Sequence, residues 1–225
     1  MVYGLIVSGG KGIRMGSEIP KQFLPLGGIP VLIRTLMIFD ACPQVDALVL
    51  VLPEAYLEYF DTLGYSPNKP LYRVKAGEER QDSVRHGLEL IVELDPESLV
   101  LIHDGVRPLV SPEVLETGVR LAMIHGAAAC GVKPKDTVKE MGSDGLSAGT
   151  LDRAKLFLIH TPQVFQSAQI LSAHRKILLE GIPVTDDTTV FERYYYPVRL
   201  FEDSYANIKI TTVEDLIMAE ALLKV

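Results

Sequence analysis

The sequence predicts an α/β protein in which a mostly parallel sheet lies between two layers of helices, a three-layer α/β/α arrangement. Three observations predict it. Short, β-rich apolar runs alternate with longer segments of helical period along most of the chain. The short runs are apolar throughout rather than at every second position, as strands covered on both faces are. The chain has 225 residues, 48% hydrophobic and 23% charged, enough for one well-filled domain spanning residues 1–225.

The elements follow in order. "YGLIV" (3–7) is a strand, and "PVLIRTLMIFDA" (30–41) is a helix with Leu32, Leu36 and Phe39 on one face. "ALVLVL" (47–52) is a strand, "AYLEYFDTL" (55–63) a helix and "LYRVKA" (71–76) a strand. "QDSVRHGLELI" (81–91) carries Val84, Leu88 and Ile91 at helical spacing, and "SLVLIH" (98–103) is again a strand. "SPEVLETGVRLAMIHG" (111–126) opens with Ser111 as N-cap and Pro112 in the first turn, then "AAACGV" (127–132) is a strand. The pattern breaks at "TVKEMGSDGLSAGTLDR" (137–153), polar and centred on "GSDG", which predicts a hairpin standing off the core as an arm over 136–156. "KLFLIHTP" (155–162) resumes a core strand, and "TTVEDLIMAEALLKV" (211–225) is an amphipathic final helix.

Composition excludes several classes. A net charge of −7 without a lysine- or arginine-rich run argues against a nucleic-acid surface. No apolar run reaches the roughly 20 residues that cross a bilayer. The beginning, "MVYGLIVSGG", lacks the basic and long apolar regions of a signal peptide. The two cysteines, Cys42 and Cys130, match no metal or redox spacing, which fits a reduced, cytoplasmic setting.

Ligands of open α/β sheets bind beyond the carboxyl ends of the strands. Four stretches fall at that edge: "SGGKGIRMG", "AGEERQDS", "HDGVRP" and "HTPQ". In the first, Gly9, Gly10 and Gly12 permit close backbone approach, so that N–H groups can face phosphate oxygens. Arg14 offers a fork and Lys21 a point charge. A dinucleotide fingerprint is excluded because Met15 stands where its third glycine belongs, and a P-loop because no Gly-Lys-Ser/Thr triplet follows. Taken alone, the stretch is equally compatible with a tight turn whose cations are merely solvated.

The stretch does not stand alone. "SGGKGIRMGSEIPKQFLPLGGIPVL" resembles the signature of sugar- and polyol-phosphate nucleotidyltransferases, with its G-x-R-M loop and P-K-Q tripeptide. "AGEERQDSVRHGL", "HDGVRP", "LIHTPQVF" and "YANIKITTVEDL" are similar, in the same order, to stretches of the 2-C-methyl-D-erythritol 4-phosphate cytidylyltransferase family and its close relative, the ribitol-5-phosphate cytidylyltransferases. The resemblance implies a Rossmann-like nucleotidyltransferase fold. It also implies a reaction in which a phosphate monoester attacks the α-phosphorus of CTP, with Mg²⁺ as cofactor. Two anions must meet, so the site has to supply positive charge and in-line positioning.

By that resemblance Arg14, Lys21 and Lys209 are the catalytic cations. Ser8, Gly9, Gly10 and Gly12 lie against the nucleotide, although family members often carry alanines where Ser8 and Gly9 stand. Gly77, Glu78 and Ser83 read the cytosine and ribose, Ser83 being equally suited to a plain N-cap. Asp104, at a strand end, holds Mg²⁺ on the triphosphate or else caps a turn. Arg107 orients Asp104 or touches phosphate, and His103 packs rather than reacts. Arg80 and Arg85 read as solvated. Lys209, in "NIKIT", reads as a lysine inside an apolar strand that needs a partner. Thr137, Arg153 and Thr161 bind the acceptor, the first two from an arm that embraces a second copy in a homodimer. Some relatives place an acidic residue just before the asparagine, where this chain has Ala206. Asp186 and Asp187 read as a polar cap for a following helix. A catalytically silent nucleotide-binding module remains the reading from another class; retention of Arg14, Lys21, Asp104 and Lys209 argues against it.

Overall fold

The computed structural model describes residues 1–10 and 19–224. β1 (Val2–Val7) is followed by a two-stranded turn, β2 (Pro25–Leu26) with β3 (Ile29–Pro30), and by α1 (Val31–Ala41). Then come β4 (Ala47–Leu52), α2 (Leu57–Thr62), β5 (Leu71–Lys75), α3 (Arg80–Leu94), β6 (Leu99–Asp104), α4 (Pro112–His125) and β7 (Ala127–Val132). The arm is β8 (Lys139–Met141) with β9 (Ser147–Thr150). The chain closes with β10 (Leu158–Gln166), α5 (Ser167–Glu180), α6 (Asp187–Glu192), β11 (Arg199–Glu202) and α7 (Val213–Leu222).

Seven strands form the main sheet in the order β11-β7-β10-β6-β1-β4-β5. All neighbours are parallel except β10, which runs antiparallel to both β6 and β7. Alternate residues of the central strands feed two cores, because successive side chains point to opposite faces. Ile6, Leu48, Leu50 and Leu101 pack on one face with Leu36, Phe39, Leu115 and Val119 of α1 and α4. Leu5, Val49, Val51, Val100 and Ile102 pack on the other with Leu88 of α3, Ile170 and Ile177 of α5 and Phe191 of α6. The expected three layers are therefore present, and β1, β4 and β6 are buried on both faces as their continuous apolarity requires.

The structure departs from the expected layout in a few places. Ser111 stands at the N-cap of α4 but its side chain makes no capping bond. The strand expected from Lys155 starts only at Leu158, because Asp152 accepts a hydrogen bond from the Ala154 N–H (3.1 Å) and winds Arg153–Lys155 into a short 3₁₀ turn. "NIKIT" is not a strand. Its backbone-to-backbone bond to a neighbouring segment is the Ile210 N–H donating to the Val106 carbonyl (2.9 Å), too little for a ladder, while Ile210 is buried in a small cluster with Leu26, Val31 and Val106. Residues 163–202, where the sequence pointed only to a helix after Asp186 or Asp187, hold the end of β10, α5, α6 and β11.

Gly126 ends α4 in the left-handed region at φ 84°, and a Cβ there would lie 2.0 Å from the Tyr196 hydroxyl oxygen. Gly126→Ala meets both penalties. It is expected to lower the unfolding free energy by about 2 kcal/mol or more, measured by urea denaturation.

Candidate active site

Parallel pairing sets Val7 of β1 beside Asp104 of β6, so both chain segments leave the sheet side by side. The Ser8 N–H continues the ladder to the Val51 carbonyl (2.9 Å) and the Gly105 N–H donates to the Val7 carbonyl (2.9 Å). A cleft of about 520 Å³ opens above these ends. Ser8, Gly9 and Gly10 form one wall with Lys21. Gly77, Glu78 and Ser83 form another, and Asp104 and Lys209 reach in from a third side. Gly12 and Arg14 lie outside the described residues.

Each wall has a local cause. Gln22, buried, donates through Nε2 to the carbonyls of Ser8 (3.2 Å) and Gly10 (3.4 Å), tying the start of the glycine stretch to the turn that bears Lys21. At Gly9 a Cβ would fall 2.9 Å from both Ala76 Cβ and Ser83 Oγ, so the two walls approach closely there. Ser83 is not the N-cap of α3. Glu79 holds that position in a capping box with Asp82, while Ser83 donates to the Glu79 carbonyl (3.1 Å) and accepts from the Gly77 N–H (3.1 Å). Ser8 Oγ is buried in the cleft wall and has no hydrogen-bond partner among the described residues.

Asp104 is the electrostatic centre. Three cations reach its carboxylate: Arg80 Nε at 3.3 Å, Arg107 Nε at 3.2 Å and Lys209 Nζ at 3.1 Å. Burial alone would raise the Asp104 pKa, but Arg80, Lys209 and Arg107 together outweigh it and hold the carboxyl far below the usual range. Arg80 is not solvated as the sequence suggested. Its other arm pairs with Asp187 (2.9 Å), which is buried and also bonds His174 Nε2 (3.0 Å). Asp187 is placed by Gln163 of β10, whose Oε1 accepts from the backbone N–H groups of Asp187 and Thr188 (3.0 and 3.1 Å). Asp186 is the cap of α6, accepting from the Thr189 N–H (3.1 Å).

Arg107 and Thr161 lie behind the cleft rather than along it. Arg107 joins Asp104 to the Asn207 carbonyl (2.8 Å), and Thr161 Oγ1 accepts from the Asp104 N–H (3.1 Å). His103, fully buried, packs as expected. The Arg107 carbonyl can only accept, so His103 Nε2 carries the proton (3.2 Å) and Nδ1 accepts from the Thr161 hydroxyl (3.0 Å). Thr137 and Arg153 are exposed on the arm, away from the cleft of their own chain, and Arg153 donates to the Lys135 carbonyl. Among the described residues, no group of three or more His, Cys, Asp or Glu side chains is placed to hold a metal by itself. No helix of the described residues is long and apolar enough to cross a membrane.

Residues 2–225 match the family described as 2-C-methyl-D-erythritol 4-phosphate cytidylyltransferase, IspD. The chain belongs to this family. A Clostridium botulinum cytidylyltransferase of that name is 46% identical over 222 residues, covering 98% of this chain and 96% of its own. The Clostridium novyi counterpart is 44% identical over 223 residues, covering 98% and 95%. Among solved structures, 4-diphosphocytidyl-2C-methyl-D-erythritol synthase from Anaerococcus prevotii superposes with a TM-score of 0.87 at 32% identity, covering 100% of this chain and 96% of that one. The Thermus thermophilus cytidylyltransferase gives 0.78 at 29% identity with full coverage of both chains. The fold of the family is thus the one described above, with Asp104, Lys209 and the Gly77–Glu79 turn and first turn of α3 of this chain lining the same cleft.

Sequence reasoning missed Gln22, Arg80, Asp187 and Asn207 as parts of this site. Gln22 was visible in the P-K-Q tripeptide, and Asn207 in "NIKIT"; for Arg80 the local sequence offered mostly acidic and polar neighbours.

Burial is the main cause that lowers the His103 pKa to about 4, against an ordinary 6.5. The unfolded chain therefore binds a proton that the folded one refuses between pH 6.5 and 4. Stability contributed by neutral His103 is full above pH 6.5 and drains away as pH falls toward 4, by about 3 kcal/mol. Unfolding curves across that window should show this loss, and His103→Asn should flatten it.

Proposed function

We propose that the protein transfers the cytidylyl group of CTP to 2-C-methyl-D-erythritol 4-phosphate, a step of non-mevalonate isoprenoid synthesis. An oxygen of the acceptor phosphate forms a bond to the α-phosphorus, and the bond from that phosphorus to the bridging oxygen breaks. Pyrophosphate leaves with the electron pair. The observation that carries the reading is the convergence of Arg80, Arg107 and Lys209 on one buried carboxylate beside the glycine turn and Lys21. Family membership over the whole described chain supports it.

The acceptor phosphate is already ionised near neutral pH, so no side chain has to remove a proton. Lys209 and Lys21, with Arg14, meet the charge on the reacting phosphates and fix their approach. Gly9 and Gly10 let the triphosphate come close to backbone N–H groups, and Ser8 adds a hydroxyl that no group among the described residues uses. The Gly77–Ser83 loop, closed by the Ser83 hydroxyl, presents carbonyls that suit the amino group of cytosine. Mg²⁺ fits the chemistry of the donors: Asp104 is a hard, ionised carboxylate at the cleft, and such ions take one or two carboxylates plus phosphate oxygens. When bound, it supplies charge withdrawal from the triphosphate. Two buried, unpaired cysteines accord with a cytoplasmic setting.

The acceptor site is completed, in this reading, by Thr137 and Arg153 from the arm of a second copy, while Thr161, buried and bonded to Asp104 and His103, supports the wall from behind. β8 and β9 pair only with each other, and the arm exposes Met141 and Leu146 to solvent. A polar arm that carries these two exposed apolar side chains is suited to embrace a homodimer partner.

Two measurements test these statements. Pyrophosphate release with CTP and Mg²⁺ should be rapid with methylerythritol 4-phosphate and slow with ribitol 5-phosphate; binding of CTP without release from either would leave a silent nucleotide module. Co-expressed Arg153→Ala and Lys21→Ala chains should recover about a quarter of wild-type activity, since half of random dimers carry one intact site. Recovery of none would place the arm outside the partner's site.

A further inference from the structure

Between β11 and α7 the chain passes from Asp203 to Thr212 without joining a ladder, yet this stretch delivers Lys209 to Asp104. A segment without regular structure must be fixed by other bonds. Its backbone touches the sheet side through the Asp203 N–H to the Gly131 carbonyl (2.8 Å) and the Ile210 N–H to the Val106 carbonyl (2.9 Å). Between them stands Asn207, fully buried. Its Nδ2 donates to the Thr161 carbonyl (2.9 Å) and to Asp203 Oδ2 (2.7 Å), and its own carbonyl accepts from Arg107 Nη1 (2.8 Å).

Both routes return to the carboxylate that Lys209 meets. Arg107 Nε contacts Asp104 Oδ2, the oxygen that also faces Lys209 Nζ, and Thr161 Oγ1 holds the Asp104 N–H. Asn207 thus closes a ring from β6 and β10 to the lysine two residues further on. Its amide orientation is fixed, because reversal would press Oδ1 against two acceptor oxygens. Asp203, with no exposed side-chain surface, accepts from His160 Nδ1 (2.9 Å), from Asn207 and from the Ser204 N–H (2.6 Å), so it is itself immobile. The orientation leaves Asn207 Oδ1 buried without a partner among the described residues, a cost that a residue serving only to fill space would not carry.

We infer that Asn207, held by Asp203, is the positioning residue that sets where the Lys209 ammonium stands against Asp104 and hence against the reacting phosphate. Asn207 acts through Lys209 and touches no substrate. The last link, to the phosphate, rests on the cytidylyltransferase reading; the placement of Lys209 does not.

The test has two readouts on the full-length protein. Without substrates, acetylation of Lys209 by an N-hydroxysuccinimide ester, followed by peptide mass spectrometry, reports whether the ammonium keeps its carboxylate partner. Asn207→Ala should speed it at least about threefold, with Lys155 and Lys224 as unchanged references. In turnover, Asn207→Ala should lower kcat about tenfold while the KM for CTP stays within about twofold. In a Lys209→Ala background the same substitution should cost less than about twofold. Unchanged Lys209 labelling, or an equal loss of kcat in both backgrounds, overturns the inference. If Asn207→Ala does not fold, Asp203→Asn, which keeps the side-chain volume, carries the same readouts. Faster labelling together with no pyrophosphate release by the wild type would overturn the proposed reaction and leave the placement of Lys209 standing.

Discussion

A carboxylate withdrawn from water costs several kcal/mol unless opposite charges and hydrogen bonds replace its hydration. Asp104 is such a group, and the site is organised around meeting its needs. The three cations that do so come from three separate segments: Arg80 from the start of α3, Arg107 from the turn after β6, and Lys209 from the irregular stretch before α7. Each segment had to be placed by the fold before its cation could arrive. Charge neutralisation at one atom pair is therefore what connects the ends of the chain, and the supports behind it (Asp187 for Arg80, Asn207 for Arg107) are buried for the same reason.

The sheet makes this convergence possible. β1, β4 and β6 are parallel and in register, so their carboxyl ends lie in a row at one edge. β10 enters antiparallel between β6 and β7, and its ladder to β7 shifts between Ile159 and Gln163. That irregular stretch contains Thr161, which reaches the Asp104 N–H and the His103 ring, and it ends at Gln163, which seats Asp187. One reversed strand, which starts at the edge that its parallel neighbours run toward, thus supplies lateral supports there.

What the sequence made legible follows from the same physics. β1, β4, β6 and β7 are buried on both faces and announce themselves as unbroken apolar runs. β11 is an edge strand, mostly exposed, and α6 has only six residues, so neither carries a readable period. "NIKIT" alternates as a strand does, but its isoleucines answer to a small local cluster rather than to a sheet face. Asp104 and Lys209 could be singled out because a charge set among apolar residues needs an explanation. Arg80 could not, since its partners lie 24 and 107 residues away and its immediate neighbours include Glu78, Glu79 and Asp82, which make a solvated arginine the natural reading.

The charge balance of the described cleft bears on what must arrive with the substrate. Arg80, Arg107 and Lys209 face two buried carboxylates, Asp104 and Asp187, so this group retains only one positive charge. Glu78 and Glu79 at the rim oppose even that, and Lys21 restores part of it. A nucleoside triphosphate and a phosphate monoester together bring several negative charges into the same space. A cleft so nearly neutral cannot hold both by its own described side chains, which accords with a divalent cation entering on the triphosphate. Asp104, kept ionised by three cations, would be among the residues to hold such an ion.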